Sequence, residues 1–161
     1  MTRVWLSLGS NIEPLKHLRA ALTVLHQRFG SVDQSPAYCF PAVGFAGADF
    51  LNLVAGIDTD MDAAELNDWL HALEDRLGRR RDVPRFSSRT LDIDIVLFGD
   101  EVLKGANNLE IPRPELKQAF VLKPLADVAP HIVHPLLGKT ILELWREHPA
   151  HAHEFERVAL R

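Results

Sequence analysis

Residues Val4, Trp5, Leu6, Ser7 and Leu8 alternate so that Val4, Leu6 and Leu8 share one side, while Trp5, Ser7 and Gly9 share the other. That period of two predicts a strand covered on one face. Gly9-Ser10-Asn11 supplies a turn, and Pro14 suits the first turn of a helix, where its missing N–H costs nothing. Leu15, Leu18, Leu22, Leu25 and Phe29 then recur at spacings of three and four, an amphipathic helix that Gly30 can stop. A weaker strand is expected over 32–38. The stretch 40–48, with Gly44 and Gly47, is expected to be a mobile loop.

The alternation returns over 50–57, with Leu51, Leu53, Ala55 and Ile57 on one side and Phe50 and Asn52 on the other. A second helix is predicted over 62–77 from the stripe Leu66, Trp69, Leu70, Leu73 and Leu77. A third strand places Leu91, Ile93, Ile95 and Leu97 together and turns Asp92 and Asp94 the opposite way. After residue 99 only a Gly-, Asn- and Pro-rich loop, a segment over 120–125 and a short helix over 140–147 can be read. The order β-α-β-β-α-β predicts an α+β, ferredoxin-like core: a mainly antiparallel sheet with helices on one face. The working site is then expected on the opposite face, partly covered by loops.

A length of 161 residues, 47% hydrophobic and 25% charged, suits one domain over 1–161. The formal charge of -4 argues against general attraction to nucleic acid or membrane, so any anion site must be local. Cys39 is the lone cysteine, which excludes an intramolecular disulfide framework and suits a reducing compartment. With no charged-then-apolar leader and no apolar run near the length of a membrane span, a cytoplasmic protein is expected.

Asp92 and Asp94 stand two apart on one strand, so their carboxylates lie about 7 Å apart along the backbone. A pair of like charges on an apolar strand is either a solvated face or a site for a hard divalent cation, and oxygen-only ligands favour magnesium over zinc. Arg76, Arg79, Arg80, Arg81, Arg85 and Arg89 crowd the chain just before the pair, opposed only by Asp82. Guanidinium forks beside paired acids describe a polyphosphate cradle, where positioning and charge stabilisation do the chemistry. The segments 41–48 and 83–88 are expected to close over a bound nucleotide. Gly-x-x-x-x-Gly-Lys-Ser/Thr, Gly-x-Ser-x-Gly and Cys-x-x-Cys are all absent, which excludes a P-loop and gives no nucleophile elbow or redox pair. His148, His151 and His153 fit no metal spacing and suit a solvated segment, and His131 and His134 suit structural roles. His71 lies one turn before Glu74 on the polar side of the second helix, either as an exposed face or as a ligand contact.

Arg89-Thr90-Leu91-Asp92-Ile93-Asp94-Ile95, followed by Leu97-Phe98-Gly99, resembles the signature of the 6-hydroxymethyl-7,8-dihydropterin pyrophosphokinase family. Leu8-Gly9-Ser10-Asn11, Phe50-Leu51-Asn52 and Phe120-Val121-Leu122 with Pro124-Leu125 resemble its other segments, so the likeness spans nearly the whole chain. The resemblance implies a ferredoxin-like fold and transfer of pyrophosphate from ATP to a reduced pterin, releasing AMP, on the route to folate. It implies that Asp92 and Asp94 hold two Mg²⁺ ions, that Arg79, Arg81 and Arg89 contact the phosphates, and that His71, Glu74 and Ile95 help seat the nucleotide. Asn52 is then the hydrogen-bonding partner of the pterin, Phe50 and Phe120 its apolar walls, and backbone near Pro41 and Val43 the rest of its slot. Arg113 stands where the family commonly has a histidine and Gln118 where it commonly has an arginine, so Arg113 is the expected replacement charge on the nucleotide side. A monomer without nucleic-acid or membrane partners is expected. The alternatives are a pterin- or nucleotide-binding paralogue with weakened catalysis and a regulatory ferredoxin-like domain. A single-strand RNA binder lacks the aromatic strings that stack bases.

Overall fold

The structure is a computed structural model that describes residues 1–79 and 88–160. Its elements run β1 (Thr2–Ser10), α1 (Pro14–Phe29), β2 (Asp33–Gln34), β3 (Ala37–Phe40), β4 (Phe50–Thr59), α2 (Ala63–Arg76) and β5 (Asp92–Phe98). There follow β6 (Leu103–Lys104), β7 (Glu110–Ile111), a 3-10 turn (Pro114–Lys117), α3 (Ala119–Val128), α4 (Ile141–Glu147) and β8 (Arg157–Val158). The main sheet is ordered β5-β1-β4-β3-β8, with β2 also on β4, and every pairing is antiparallel. The last strand of the β-α-β-β-α-β unit thus lies beside the first, as the ferredoxin-like reading requires.

Local chemistry explains the borders. Pro14 opens α1, and Gly30, at φ 81°, closes it by donating its N–H to the His26 carbonyl. At α2 the Asp62 side chain accepts from the Glu65 amide while Glu65 accepts from the Asp62 amide, a reciprocal cap. The strand expected over 32–38 is two pieces. Between them the Ser35 hydroxyl accepts the Val54 amide at 2.9 Å, replacing a ladder bond that the break removes.

Two cores result. Val4, Leu6, Leu8, Leu53, Ala55, Ile57, Ile93 and Ile95 meet Leu18, Leu22 and Leu25 of α1 and Leu66, Leu70 and Leu73 of α2. On the other face Trp5, Val54, Val96 and Leu97 meet Val121, Leu122 and Leu125 of α3 and Ile141 and Trp145 of α4. α1 and α2 therefore cover one face as expected, and α3 and α4 add cover to part of the other. Leu97 is a correction. The β1–β5 register shifts between Trp5 and Leu6, whose partners are Leu97 and Ile95, so Val96 is an extra residue in β5. That bulge turns Leu97 onto the second core and gives its expected place to Phe98.

Gly56 lets the second core form. A Cβ there would stand 2.4 Å from Trp5 Cζ3 and 2.7 Å from Cη2. Gly56→Ala is expected to destabilise the fold by roughly 1–3 kcal/mol through overpacking, read as a lower midpoint in urea. An unchanged midpoint would mean that Trp5 shifts freely.

Candidate active site

The sheet register builds a row across four strands. Gly9 of β1 pairs with Asp92 of β5 on one side and Asn52 of β4 on the other, and Asn52 pairs with Tyr38 of β3. Directly opposed residues point to the same face, so Asp92, Asn52 and Tyr38 rise together around a position with no side chain. In a neighbouring row Asp94, Ser7 and Val54 stand abreast. This is the face opposite α1 and α2.

Above it lies a cavity of about 450 Å³. Ser7 and Gly9 form its floor between the two aspartates and Asn52. Pro41, Val43, Phe45, Phe50, Phe120 and Val121 make an apolar, largely aromatic end. Arg89, Arg113, Pro114, Glu115, Lys117 and Gln118 complete the rim. One cavity thus joins a charged end to an aromatic slot with a buried amide, the form expected of a site for a flat polar heterocycle.

Ion pairs and hydrogen bonds hold the charged end. Arg79 Nη1 lies 3.1 Å from Asp92 Oδ1, 3.3 Å from Glu74 Oε2 and 3.2 Å from the Leu91 carbonyl. Arg89 Nη1 reaches Asp92 Oδ2 at 3.1 Å. Arg113 is tethered by Nε to Glu115 Oε2 at 3.0 Å and turns Nη2 toward Asp94 Oδ1 at 3.5 Å. Asn11 fixes the approach to Arg89: its Oδ1 accepts the Arg89 amide at 2.7 Å, and its Nδ2 donates to the Ala48 carbonyl and the Ser88 hydroxyl.

Burial, reinforced by neighbouring Asp92, pushes the Asp94 carboxyl well above the usual carboxylate range; Glu74 and Glu115 add to the shift and Arg113 opposes it. Such a site favours a nearby positive charge beyond the one guanidinium. Among the described residues no cluster of three or more His, Cys, Asp or Glu could form a complete protein cage. Two carboxylates open to a cavity instead fit magnesium, which commonly takes one or two carboxylates and completes its shell with water and substrate phosphates.

Of the residues expected at the site, Pro41, Val43, Phe50, Asn52, Arg89, Asp92, Asp94, Arg113 and Phe120 line this cavity. Arg79 joins it through Asp92. Glu74 is 2% exposed and accepts the Ile93 amide at 2.9 Å, so it braces β5 and Arg79 behind the cavity wall. The Ile95 side chain packs into the helix-side core, leaving only its main chain for a nucleotide. His71, on α2, is not among the described residues that line the cavity. Arg80, Arg81, Arg85 and the stretch 83–87 lie outside the described residues. Ser7 and Gly9 were not expected as lining, although both share the Trp5 side of β1. Phe45, Glu115 and Lys117 come from segments with no periodicity to orient them. His134 is structural as expected, its Nδ1 accepting the Leu136 and Leu137 amides.

A family model described as 7,8-dihydro-6-hydroxymethylpterin-pyrophosphokinase (HPPK) matches residues 5–130. The 2-amino-4-hydroxy-6-hydroxymethyldihydropteridine pyrophosphokinase of Pseudomonas aeruginosa is 41% identical over 138 residues, covering 83% of this chain and 84% of that one. The Haemophilus influenzae protein of the same name is 33% identical over 156 residues, covering 94% and 96%. The crystal structure of Plasmodium falciparum HPPK-DHPS wild type superposes with a TM-score of 0.73 over 91% of this chain. At 15% identity that likeness shows the fold alone, and the present chain spans 41% of the length of that protein.

Proposed function

We infer the chemistry of this cavity from the premise that the chain belongs to the 7,8-dihydro-6-hydroxymethylpterin-pyrophosphokinase family. It is an enzyme that transfers pyrophosphate from ATP to 6-hydroxymethyl-7,8-dihydropterin, in folate biosynthesis. The observation that carries the residue assignments is the Asp92–Gly9–Asn52 row, which sets an acid pair and an amide-floored aromatic slot in one cavity.

In this reading Asn52 hydrogen-bonds the polar edge of the pterin, while Phe50 and Phe120 wall its ring and exclude water. The hydroxymethyl group then points along the open floor at Gly9 toward the acids. Arg89, Arg79, Arg81 and Arg113 bind phosphate oxygens and take up charge that develops in transfer. His71, Glu74 and the main chain at Ile95 serve the nucleotide end, Glu74 by holding Arg79. Asp92 and Asp94 would hold two Mg²⁺ ions, which when bound supply electrostatic neutralisation of the phosphates. The pterin hydroxyl oxygen bonds to the β-phosphorus of ATP and gives up its proton to solvent water, the bond from that phosphorus to the α–β bridging oxygen breaks, and AMP departs with that oxygen. No protein nucleophile is required. Residues 1–161 act as one domain and as a monomer in the cytoplasm, a reading supported by α4 and β8 packing onto the same two cores and by the lone cysteine.

The test is AMP release from ATP by the purified chain. AMP is expected to require both the pterin and Mg²⁺, and chelation by EDTA should abolish it. Because Asp94 must shed its proton to serve as a ligand, Mg²⁺ affinity in the presence of ATP is expected to weaken as pH falls through the Asp94 titration. AMP release that ignores the pterin would overturn the reading. Arg113 lies between Asp94 and Glu115, which favours a second reading, a paralogue whose acids are held by guanidinium and turn over slowly. Calorimetric binding of pterin without magnesium-dependent binding of an ATP analogue would select it.

A further inference from the structure

The family match ends at residue 130, yet the chain beyond it returns to the sheet. β8 lies along the outer edge of β3, pairing Val158 with Ala37 and Arg157 with Tyr38, and the Cys39 amide donates to the Glu156 carbonyl at 2.9 Å. β3 is four residues long. A strand so short, paired on one side only, holds its position weakly.

The added strand also reaches the slot through side chains. The Phe155 ring centroid is 4.8 Å from that of Phe40, and Phe40 is 6.5 Å from Phe120, which lines the cavity. The Arg157 guanidinium lies 5.7 Å above the Tyr38 ring, and the Tyr38 hydroxyl donates to Asp127 of α3. Tyr38 is the residue paired with Asn52, and Phe40 runs directly into Pro41 of the cavity wall. The two faces of this segment serve different cores: Val158 packs against the helix-side core and Phe155 against the other.

We propose that the strap over 155–158 is a positioning element for the heterocycle slot: it sets Phe40 and the root of the 41–49 segment, and through Phe40 the wall at Phe120. Among the described residues, none of 155–158 lines the cavity. Phe155 therefore governs capture of the pterin and leaves the phosphate end alone. This rests on the pterin reading above.

The experiment compares full-length wild type, Phe155→Ala, Phe155→Leu and Val158→Ala in steady-state assays well below their melting temperatures. Phe155→Ala is expected to raise the KM for pterin about tenfold, with kcat and the KM for ATP within about twofold of wild type, since small misplacements of a binding wall act on capture. Phe155→Leu should restore most of the loss. Val158→Ala should lower the melting temperature and leave the pterin KM in place. Should Phe155→Ala fail to fold, Phe155→Leu decides, with a rise of about twofold to threefold expected from a smaller displacement of the same wall. An unchanged pterin KM in an active Phe155 variant overturns the strap alone, as does a loss of kcat with both KM values raised to a similar extent. A wild type that forms no pterin-dependent AMP overturns the parent reading and the strap with it.

Discussion

Asp94→Ala is expected to lower turnover by ~10³-fold or more, on the order of 4 kcal/mol of transition-state stabilisation. Asp92→Ala should do the same, and should also release Arg79 and Arg89 from the carboxylate that holds them. The loss should not come from unfolding. Asp94 has a raised carboxyl pKa in the folded chain, because burial and Asp92 oppose its charge. The folded state therefore holds that proton more tightly than the unfolded state, and stability falls as pH rises from the unfolded pKa through the folded one. Asp94→Asn removes the charge that causes this. In EDTA its melting temperature should move upward relative to wild type as pH is raised through that window, while turnover stays lost. A variant that is inactive but also less stable than wild type at every pH would mean that Asp94 serves the fold, and a variant that retains turnover would remove the acid pair from the chemistry.

The separation of activity from stability at Asp94 bears on what a sequence can reveal. Val4, Leu6 and Leu8, the Leu51 to Ile57 series, and Ile93 with Ile95 obey a period of two, and one face of the sheet with its two helices follows from them. The same periodicity puts Asp92, Asp94, Phe50 and Asn52 on the other face, so the opposed ends of the site are legible in the sequence. The second core was not. Val54 sits within a strand whose apolar side was already assigned, and it marks a second dry face only when Trp5 and α3 are brought against it. Pro124 inside α3 interrupts the helical signal in a ten-residue element. The bulge at Val96 has no sequence mark at all, since Ile95, Val96, Leu97 and Phe98 are uniformly apolar and no alternation is left to slip.

The nucleotide side shows the same limit for charge. Arginine density before Asp92 points to phosphate, but it does not say which guanidinium faces the acids. Buried Glu74 makes that choice for Arg79, accepting from it and from the Ile93 amide together, a placement that arginine density alone does not reveal. Arg113 is chosen similarly by Glu115, two residues on. Phe155 and Phe40 stand more than a hundred residues apart in sequence, and only the pairing of β8 with β3 brings them to one wall.

Gly9→Ala should test the join between the two ends of the site. Gly9 is the middle of the Asp92–Asn52 row, and a Cβ there would lie 2.5 Å from Asn52 Nδ2, 3.5 Å from its Cγ and 3.7 Å from Phe50 Cδ1. The close atom is the free end of a side chain, so the strand can accept alanine by turning the amide away, at a modest cost in stability. The amide is then lost to the pterin, whose polar edge is left without its partner in a dry slot, a penalty of roughly 1–3 kcal/mol. The KM for pterin should therefore rise by about 10-fold to 100-fold, with the KM for ATP little changed because Arg79 and Arg89 are untouched. Asn52→Ala should give a similar rise. The double variant should be little worse than either single one, because both substitutions remove the same hydrogen bond and their effects cannot add. If the two losses multiplied instead, Gly9 would act on the substrate independently of Asn52, and the open floor between the acids and the amide would have some purpose other than passage of the hydroxymethyl group.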